Sequence, residues 1–185
     1  MNRVYNFSSG PAQLPYDVLV NAQAELLDYN STGMSVMEMS HRSAAYKEII
    51  ENAEKNLRKL YNISDDYAVL FLQGGAALQF AMIPMNMTKI GSADYIDSGY
   101  WSAKAIKEAK KFTNVRVVCS TKDENYNRLP DFEGIKFEGD YVYMTSNNTI
   151  YGTEFKKYPQ TGDIPLIADM SSDILSRKID VNNFG

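Results

Sequence analysis

The hydrophobic positions of this chain change from a helical period to short alternating runs near residue 65. Within 16–30 and 44–62, apolar residues recur every three or four positions, which predicts two amphipathic helices. A polar loop, STGMSVMEMSHRS, separates them. Residues 1–15 are rich in turn-forming types and predict an extended N-terminal segment.

Beyond the second helix, short apolar runs alternate with helical stretches. We predict helices over 76–87 and from Trp101 onwards, and strands in YAVLFL, SADYID, VRVVCS, DYVYMT and IPLIADM. This alternation predicts an α/β domain, with a mostly parallel sheet flanked by helices, over residues 16–185. Ligands of such sheets bind at the carboxyl ends of the strands, so residues that follow each apolar run are the candidate site residues.

Two glycines, Gly74 and Gly75, end the first apolar run and precede Ala76 and Ala77 at the start of a helix. Glycine permits unusual dihedral angles, and a helix N-terminus offers free N–H groups and a positive partial charge to an anion. The stretch matches neither the P-loop nor the dinucleotide glycine pattern. It therefore fits either an ordinary tight turn or a phosphate cradle.

Three later strand ends carry residues with both a structural and a functional interpretation. Trp101, the only tryptophan, could pack on a neighbouring loop or stack on an aromatic ligand. The polar run 145–149, which ends at Thr149, could form turn hydrogen bonds or the rim of a ring-binding site. Asp169 could cap a turn or neutralise a buried cationic ring nitrogen.

The polar loop contains His41 and Arg42, which could hold an anionic substrate or lie in solvent. His41 is the only histidine, so the sequence offers no histidine-rich metal site and no convincing Ser/His/Asp triad. Cys119 is the only cysteine, which leaves no intrachain disulfide to predict. We expect Cys119 to be a small buried apolar residue.

The composition of the chain limits the kinds of molecule that we expect it to bind. The 185 residues are 44% hydrophobic and 23% charged with a net charge of −4, which is typical of a globular protein. No basic stretch with interleaved aromatic residues favours nucleic acid, and no apolar run approaches the roughly 20 residues that span a bilayer. Without a secretory signal in the first residues, we expect a cytoplasmic protein that binds small molecules.

Long segments of the chain resemble the phosphoserine aminotransferase family, which are class V aminotransferases with the pyridoxal-phosphate-dependent fold type I. The segments that carry the resemblance are FSSGPAQLP, SVMEMSHRS, FLQGGAALQF, ADYIDSGYWSAKAIKEAKK and SSDILSRKID. They occur in register from Asn6 to the end of the sequence. The resemblance implies that residues 16–185 form the N-terminal part of the large cofactor-binding domain, without its C-terminal part and the small domain.

The resemblance also implies roles for individual residues toward pyridoxal phosphate. Ala76 and Ala77 would donate backbone N–H groups to its phosphate, and Trp101 would stack on its ring. Thr149 would contact the polar edge of the ring. Asp169 would pair with the ring nitrogen and keep it protonated, so that the ring can accept electrons.

The family implies amino-group transfer between L-glutamate and 3-phosphohydroxypyruvate in serine biosynthesis, with a related phosphorylated substrate in pyridoxine biosynthesis as a second option. Ser9, His41 and Arg42 match positions on the substrate side of the site. The family also implies a homodimer. Two alternatives stay open: another aminotransferase or lyase of the same fold, or a non-catalytic chain that binds the cofactor or a partner.

The sequence departs from the family pattern in three places. Residues 75–78 read Gly-Ala-Ala-Leu, which keeps the backbone donors but lacks the larger polar side chain of many relatives. Lys178 stands where a proline is common. The family's Schiff-base lysine falls beyond the position of Gly185, so we expect no catalytic lysine in the printed sequence and no transaminase activity from it alone.

Overall fold

The computed structural model describes residues 3–10 and 12–185, so Met1, Asn2 and Pro11 of the predicted N-terminal segment lie outside the described residues. The chain forms two compact units, one ending at Val69 and one spanning Leu70–Gly185. None of the described helices combines the length and the apolar character that a membrane span requires.

The first unit contains two helices, α1 (Tyr16–Ala24) and α2 (Ala44–Tyr61). Helix α2 fills nearly all of its predicted range, whereas α1 ends at Ala24, short of the predicted end at Asn30. Before Tyr16, the described residues form neither helix nor strand, and Ser9 and Gly10 lie in a turn. Helix α2 begins where the Ser43 hydroxyl accepts the N–H of Tyr46 at 3.2 Å, and it ends at Asn62 in the left-handed conformation.

The second unit contains a four-stranded sheet formed by β1 (Ser92–Asp97), β2 (Asn114–Ser120), β3 (Val142–Thr145) and β6 (Leu166–Asp169). The strand order is β2-β1-β3-β6, and all three pairs of neighbouring strands are parallel. A short antiparallel hairpin consists of β4 (Asn147–Asn148) and β5 (Thr153–Glu154). The helices of this unit are α3 (Gly75–Met87) and α4 (Tyr100–Ala109). The predicted α/β class with a parallel sheet is confirmed.

Alternating side chains of the strands build a separate core on each face of the sheet. On one face, Tyr95 and Tyr143 pack with Phe80 of α3 and with the buried side of α4. On the opposite face, a second cluster forms from Ile96, Val142, Met144, Phe155 and Leu166. Both faces are apolar because parallel strands are covered on both sides.

The predicted strand YAVLFL is wrong: residues 67–72 form no strand. A strand needs a neighbour to accept and donate its backbone hydrogen bonds, and no described segment pairs with this run. Leu70, Phe71 and Leu72 are accordingly exposed by 55–70%. The apolar runs of the sequence therefore form buried strands only where a neighbouring strand pairs with them.

The single cysteine, Cys119, is half-buried on β2 and has a free thiol. Burial raises the pKa of this thiol to about 11, and the nearby carboxylates of Asp131 and Asp97 act in the same direction. The thiol is therefore protonated at neutral pH, and Cys119 packs against the second cluster as a small apolar residue, although it is half-buried rather than buried as predicted.

Candidate functional site

The glycine pair that interrupts the first apolar run forms a left-handed turn into α3. Gly74 and Gly75 have φ angles of 92° and 58°, a region that favours glycine. A Cβ at Gly74 would lie only 2.5 Å from Leu78 Cδ2. No side chain of a described residue caps the helix start. The N–H groups of Ala76 and Ala77 lie in the first turn, where an α-helix provides no acceptor of its own.

The start of α4 presents Trp101 at the carboxyl end of β1. The Ser102 hydroxyl accepts the N–H groups of Ser98 and Gly99, each at 2.9 Å, and donates to Asp97 at 2.9 Å. This buried network fixes the turn from β1 into α4. Trp101 remains 37% exposed, with the Lys104 Nζ atom 5.1 Å from its ring centroid. The indole is thus available to a flat ligand.

Asp169 is the last residue of β6, and its carboxylate is half-buried. One oxygen, Oδ1, accepts the N–H of Ser171 at 3.0 Å and the Ser171 hydroxyl at 2.5 Å. This confirms the turn-capping interpretation for one oxygen. Oδ2 accepts no hydrogen bond from a described residue, and Asp169 lines two cavities at this end of the sheet.

Hydrogen bonds attach the polar run after β3 to the segment after β6. Ser146 donates its hydroxyl to Asp173 Oδ1 at 2.6 Å, and the Asn147 side-chain amide donates to Ser172 Oγ at 2.8 Å. These bonds place Thr149, just beyond β4, on the same side as the loop after Asp169. The run therefore serves both as turn chemistry and as a polar rim.

Four of the five residues predicted to bind the cofactor line one small cavity of about 100 Å³ at the carboxyl ends of the strands. Its lining residues are Ala76, Trp101, Thr145, Asn147, Thr149, Asp169, Ser171 and Ser172. A second cavity of about 370 Å³ shares Ala76, Asp169 and Ser171 with the first and extends along Gln79 and Tyr143. Ala77, the fifth residue, has an exposed side chain that lines neither cavity, which leaves only its backbone N–H as a contact.

The three residues predicted on the substrate side belong to the first unit. Ser9, His41 and Arg42 are all exposed and lie in turns. The Arg42 backbone N–H donates to Ser40 Oγ at 3.2 Å. Its guanidinium forms no ion pair with the acidic residues that the structure describes. Their contact with substrate stays a prediction.

Sequence reasoning missed the role of Arg177, which connects the β4–β5 hairpin to the segment after β6. Its guanidinium donates to Glu154 Oε1 at 2.5 Å, to the Phe155 carbonyl at 2.8 Å and to the Tyr158 hydroxyl at 3.1 Å. Lys156 and Arg177 together hold the pKa of the Glu154 carboxyl below its usual value. Arg177 lies within a segment that carried the family resemblance, but its partners are distant in sequence and could not be read from it.

Comparison with known proteins assigns this arrangement to a family. The family model described as "Aminotransferase class-V" matches residues 4–185 of this chain. The phosphoserine aminotransferase of Lysinibacillus sphaericus is 54% identical over 186 residues, which cover 99% of this chain and 51% of that protein.

Two solved structures have the same fold. The phosphoserine aminotransferase from Bacillus circulans subsp. alkalophilus superposes with a TM-score of 0.94 at 50% identity, covering 99% of this chain and 52% of that one. The pyridoxal-phosphate-bound phosphoserine aminotransferase from Trichomonas vaginalis gives 0.90 at 37% identity, with coverages of 99% and 52%. The chain thus spans about half the length of these relatives. With its parallel sheet, its uncapped helix start and a family match over nearly all of its residues, the chain belongs to the class-V aminotransferases.

Proposed function

We propose that this chain forms the ring-binding side of a pyridoxal phosphate site in a phosphoserine aminotransferase. The observation that carries the proposal is the convergence of residues from four separate segments on one cavity: Ala76, Trp101, Thr149 and Asp169. Convergence of this kind is expected where a ligand bridges several strand ends.

The chemistry of these groups fits the cofactor. The first-turn N–H groups of α3 receive no cap from the side chains that the structure describes, and they suit a phosphate dianion. The exposed indole of Trp101 suits the face of an aromatic ring. The free oxygen of Asp169 suits a protonated ring nitrogen, because a partly buried carboxylate is stabilised by an opposite charge. Groups suited to the phosphate, to the aromatic ring and to the protonated ring nitrogen thus occur together at one end of the sheet.

Bound pyridoxal phosphate supplies an electron-accepting ring for amino-group transfer. Asp169 holds the proton on the ring nitrogen, and this positive charge makes the ring a better electron acceptor. Trp101 would stack on the ring, and the hydrogen-bonded turn before α4 would hold the indole in place. Thr149 would contact the polar edge of the ring. Ala76 and Ala77 would hold the phosphate through their backbone N–H groups.

We assign L-glutamate and a phosphorylated 2-oxo acid, 3-phosphohydroxypyruvate, as the substrates, with Ser9, His41 and Arg42 as substrate contacts. Arg42 suits a phosphate or carboxylate because its guanidinium can bind two oxygens at once. We further propose that the enzyme acts as a cytoplasmic homodimer in serine biosynthesis, with a pyridoxine-pathway analogue as the second candidate substrate. None of the lysines in the printed sequence lies in the motif by which the family links its cofactor, so the isolated chain is proposed to be inactive.

The experiment uses the protein expressed from its complete gene, stripped of cofactor and titrated with pyridoxal phosphate. We expect saturable binding followed by absorbance, and amino transfer from L-glutamate to 3-phosphohydroxypyruvate followed by phosphoserine formation. The Asp169→Asn variant should lose at least about a hundredfold in turnover, because the amide cannot stabilise the protonated ring nitrogen. Equal rates with an unphosphorylated 2-oxo acid would identify a different aminotransferase.

Asp163→Asn provides the matched control. Asp163 is an exposed carboxylate in the turn that precedes β6, so its neutralisation removes the same charge without touching the cavity. Wild-type binding and turnover are expected for this variant. If the protein binds no pyridoxal phosphate, or if both variants behave alike, the proposed site is wrong.

A further inference from the structure

Two hydroxyl groups on β3 are buried without a hydrogen-bond partner. Tyr143 is 1% exposed and Thr145 is 4% exposed, and neither hydroxyl has a partner among the described residues. An unsatisfied hydroxyl in a protein interior is unfavourable, and such groups are normally paired. A buried donor left unpaired in a core therefore points to a role in the adjoining cavity.

Strand register places both hydroxyl-bearing residues on the face of the sheet that Asp169 occupies. Thr145 pairs with Asp169, and Tyr143 pairs with Ile167, in the parallel ladder between β3 and β6. Paired residues of a parallel ladder point to the same face, and residues two apart share it. Tyr143 and Asp169 accordingly line the same cavity of about 370 Å³.

The ring of Tyr143 is held rigidly. It stacks on Tyr95 with centroids 4.9 Å apart and planes 23° apart, and it meets Phe80 edge-on at 6.4 Å. A neighbouring tyrosine pair gives the contrast, since the Tyr95 and Tyr141 hydroxyls bond to each other at 2.8 Å. The packing of its ring thus fixes the position of the Tyr143 hydroxyl oxygen.

Burial, reinforced by the negative charge of Asp169, raises the pKa of Tyr143 well above its usual value. The phenol is therefore protonated at any working pH, and toward a carboxylate it can act only as a donor. The Asp169 carboxylate can accept this hydrogen bond, because each of its oxygens accepts up to two and Ser171 donates only to Oδ1.

We propose that Tyr143 is a positioning residue that donates a hydrogen bond to the Asp169 carboxylate and so orients it toward the cofactor ring nitrogen. This inference rests on the proposed function, because it needs Asp169 to face a ring. Tyr143 does not touch the ring itself. It limits rotation of the carboxylate from one side, as Ser171 does from the other.

The test uses the protein from its complete gene, freed of cofactor and titrated with pyridoxal phosphate. Tyr143→Phe should weaken binding about tenfold, the effect of losing one hydrogen bond to a charged group. Tyr95→Phe is the matched control: it removes a hydroxyl from the same aromatic stack, but one bonded to Tyr141. It should bind the cofactor as the wild type does.

The Asp169→Asn background separates a positioning role from a packing role. If Tyr143 acts through the carboxylate, Tyr143→Phe should weaken binding by less than about twofold in that background, since the charged acceptor is already gone. Thermal melts without cofactor add a second readout. Tyr143→Phe should melt below the wild-type temperature, because it removes the hydrogen bond to the Asp169 carboxylate, and this difference should be smaller in the Asp169→Asn background.

The outcomes distinguish the two proposals. The inference is supported if Tyr143→Phe weakens pyridoxal phosphate binding in the wild-type protein but not in the Asp169→Asn background. Equal weakening in both backgrounds, or equal weakening by Tyr95→Phe, overturns it and leaves the proposed function standing. If Asp169→Asn itself leaves pyridoxal phosphate binding and turnover unchanged, the proposed function fails, and the positioning role fails with it.

Discussion

The guanidinium of Arg116 on β2 binds the carboxylate of Asp94 on β1 through two hydrogen bonds, Nε to Oδ1 at 2.6 Å and Nη2 to Oδ2 at 2.7 Å. Asp94 is 1% exposed and also accepts the backbone N–H groups of Glu138 and Gly139, at 2.7 and 3.2 Å. One carboxylate thereby ties two strands and the segment before β3 together, on the sheet that positions the candidate site.

This ion pair predicts acid-sensitive stability. Burial pushes the pKa of Asp94 upward, but Arg116 and the two amide donors outweigh burial and hold the pKa below its usual value. A lowered folded-state pKa means that the stabilisation is complete above the unfolded-state pKa and disappears as the pH falls through the folded-state pKa. Asp94→Asn should therefore lower the free energy of unfolding by about 2–3 kcal/mol at pH 7. The difference should shrink below about pH 4.

Urea denaturation across a pH series measures this effect. Glu138→Gln is the control, because Glu138 also pairs with Arg116, at 3.0 Å, but its side chain is 54% exposed. Exposed pairs contribute little, so this variant should stay close to wild type at every pH. A constant difference for Asp94→Asn from pH 7 to pH 3 would contradict the assignment.

The buried hydroxyl pair of Tyr95 and Tyr141, 2.8 Å apart, predicts strong non-additivity. Tyr95→Phe alone leaves the Tyr141 hydroxyl unpaired in the core, at a cost of about 1–3 kcal/mol. Replacing both residues by Phe removes donor and acceptor together, so the double variant should be at least as stable as either single variant. A double-mutant cycle by urea denaturation checks this. Additive losses would show that the two hydroxyls do not depend on each other.

Periodicity and alternation predicted most of the fold, because these elements bury faces that the sequence pattern marks directly. SADYID became β1 over the predicted residues, and the helix predicted over 76–87 became α3, one residue longer at its start. The run 67–72 shows the limit of the method. Apolar character predicts that a segment prefers burial, whereas strand formation also needs a pairing neighbour, which local sequence does not specify.

The candidate site was predictable at strand ends and unpredictable in its supporting contacts. Trp101 and Asp169 stood out because each follows an apolar run, where ligands of parallel sheets bind. Tyr143 lies inside such a run and looks like any core aromatic residue until the register with β6 is known. Arg177 likewise looks like a surface charge until its partner Glu154 is brought to it by the β4–β5 hairpin. Contacts between residues distant in sequence depend on topology.

The close approach of Gly99 to Asn148 predicts a steric role for this glycine in placing Trp101. A Cβ at Gly99 would lie 2.3 Å from Asn148 Oδ1, and Asn148 is itself 2% exposed and bonded through Nδ2 to the Ser98 carbonyl at 2.6 Å. Gly99→Ala should lower the free energy of unfolding by about 1–3 kcal/mol, because the buried amide has no room to move. It should also shift the fluorescence emission of Trp101.

Combining Gly99→Ala with Asn148→Ala provides the control for that prediction. Asn148→Ala costs stability by itself, since it removes the bond to Ser98, but it also removes the obstructing amide. The double variant should therefore lose less stability than the sum of the two single variants, and its emission should return toward the wild-type wavelength. A loss equal to that sum would show that Gly99 matters for some reason other than this contact.

The contacts of Arg177 with the β4–β5 hairpin predict that this residue also affects the affinity for pyridoxal phosphate. Arg177→Lys keeps the charge but cannot reach Glu154, the Phe155 carbonyl and Tyr158 at once, because an ammonium lacks the planar fork of donors. The free energy of unfolding should fall by about 1–2 kcal/mol. Pyridoxal phosphate should bind several-fold more weakly, since the segment that Arg177 anchors carries Ser171 and Ser172 of the cavity wall. The adjacent exposed residue offers the control, Lys178→Arg, which should leave both measurements unchanged. Unchanged affinity in a destabilised Arg177→Lys protein would show that the hairpin anchor and the cavity wall are independent.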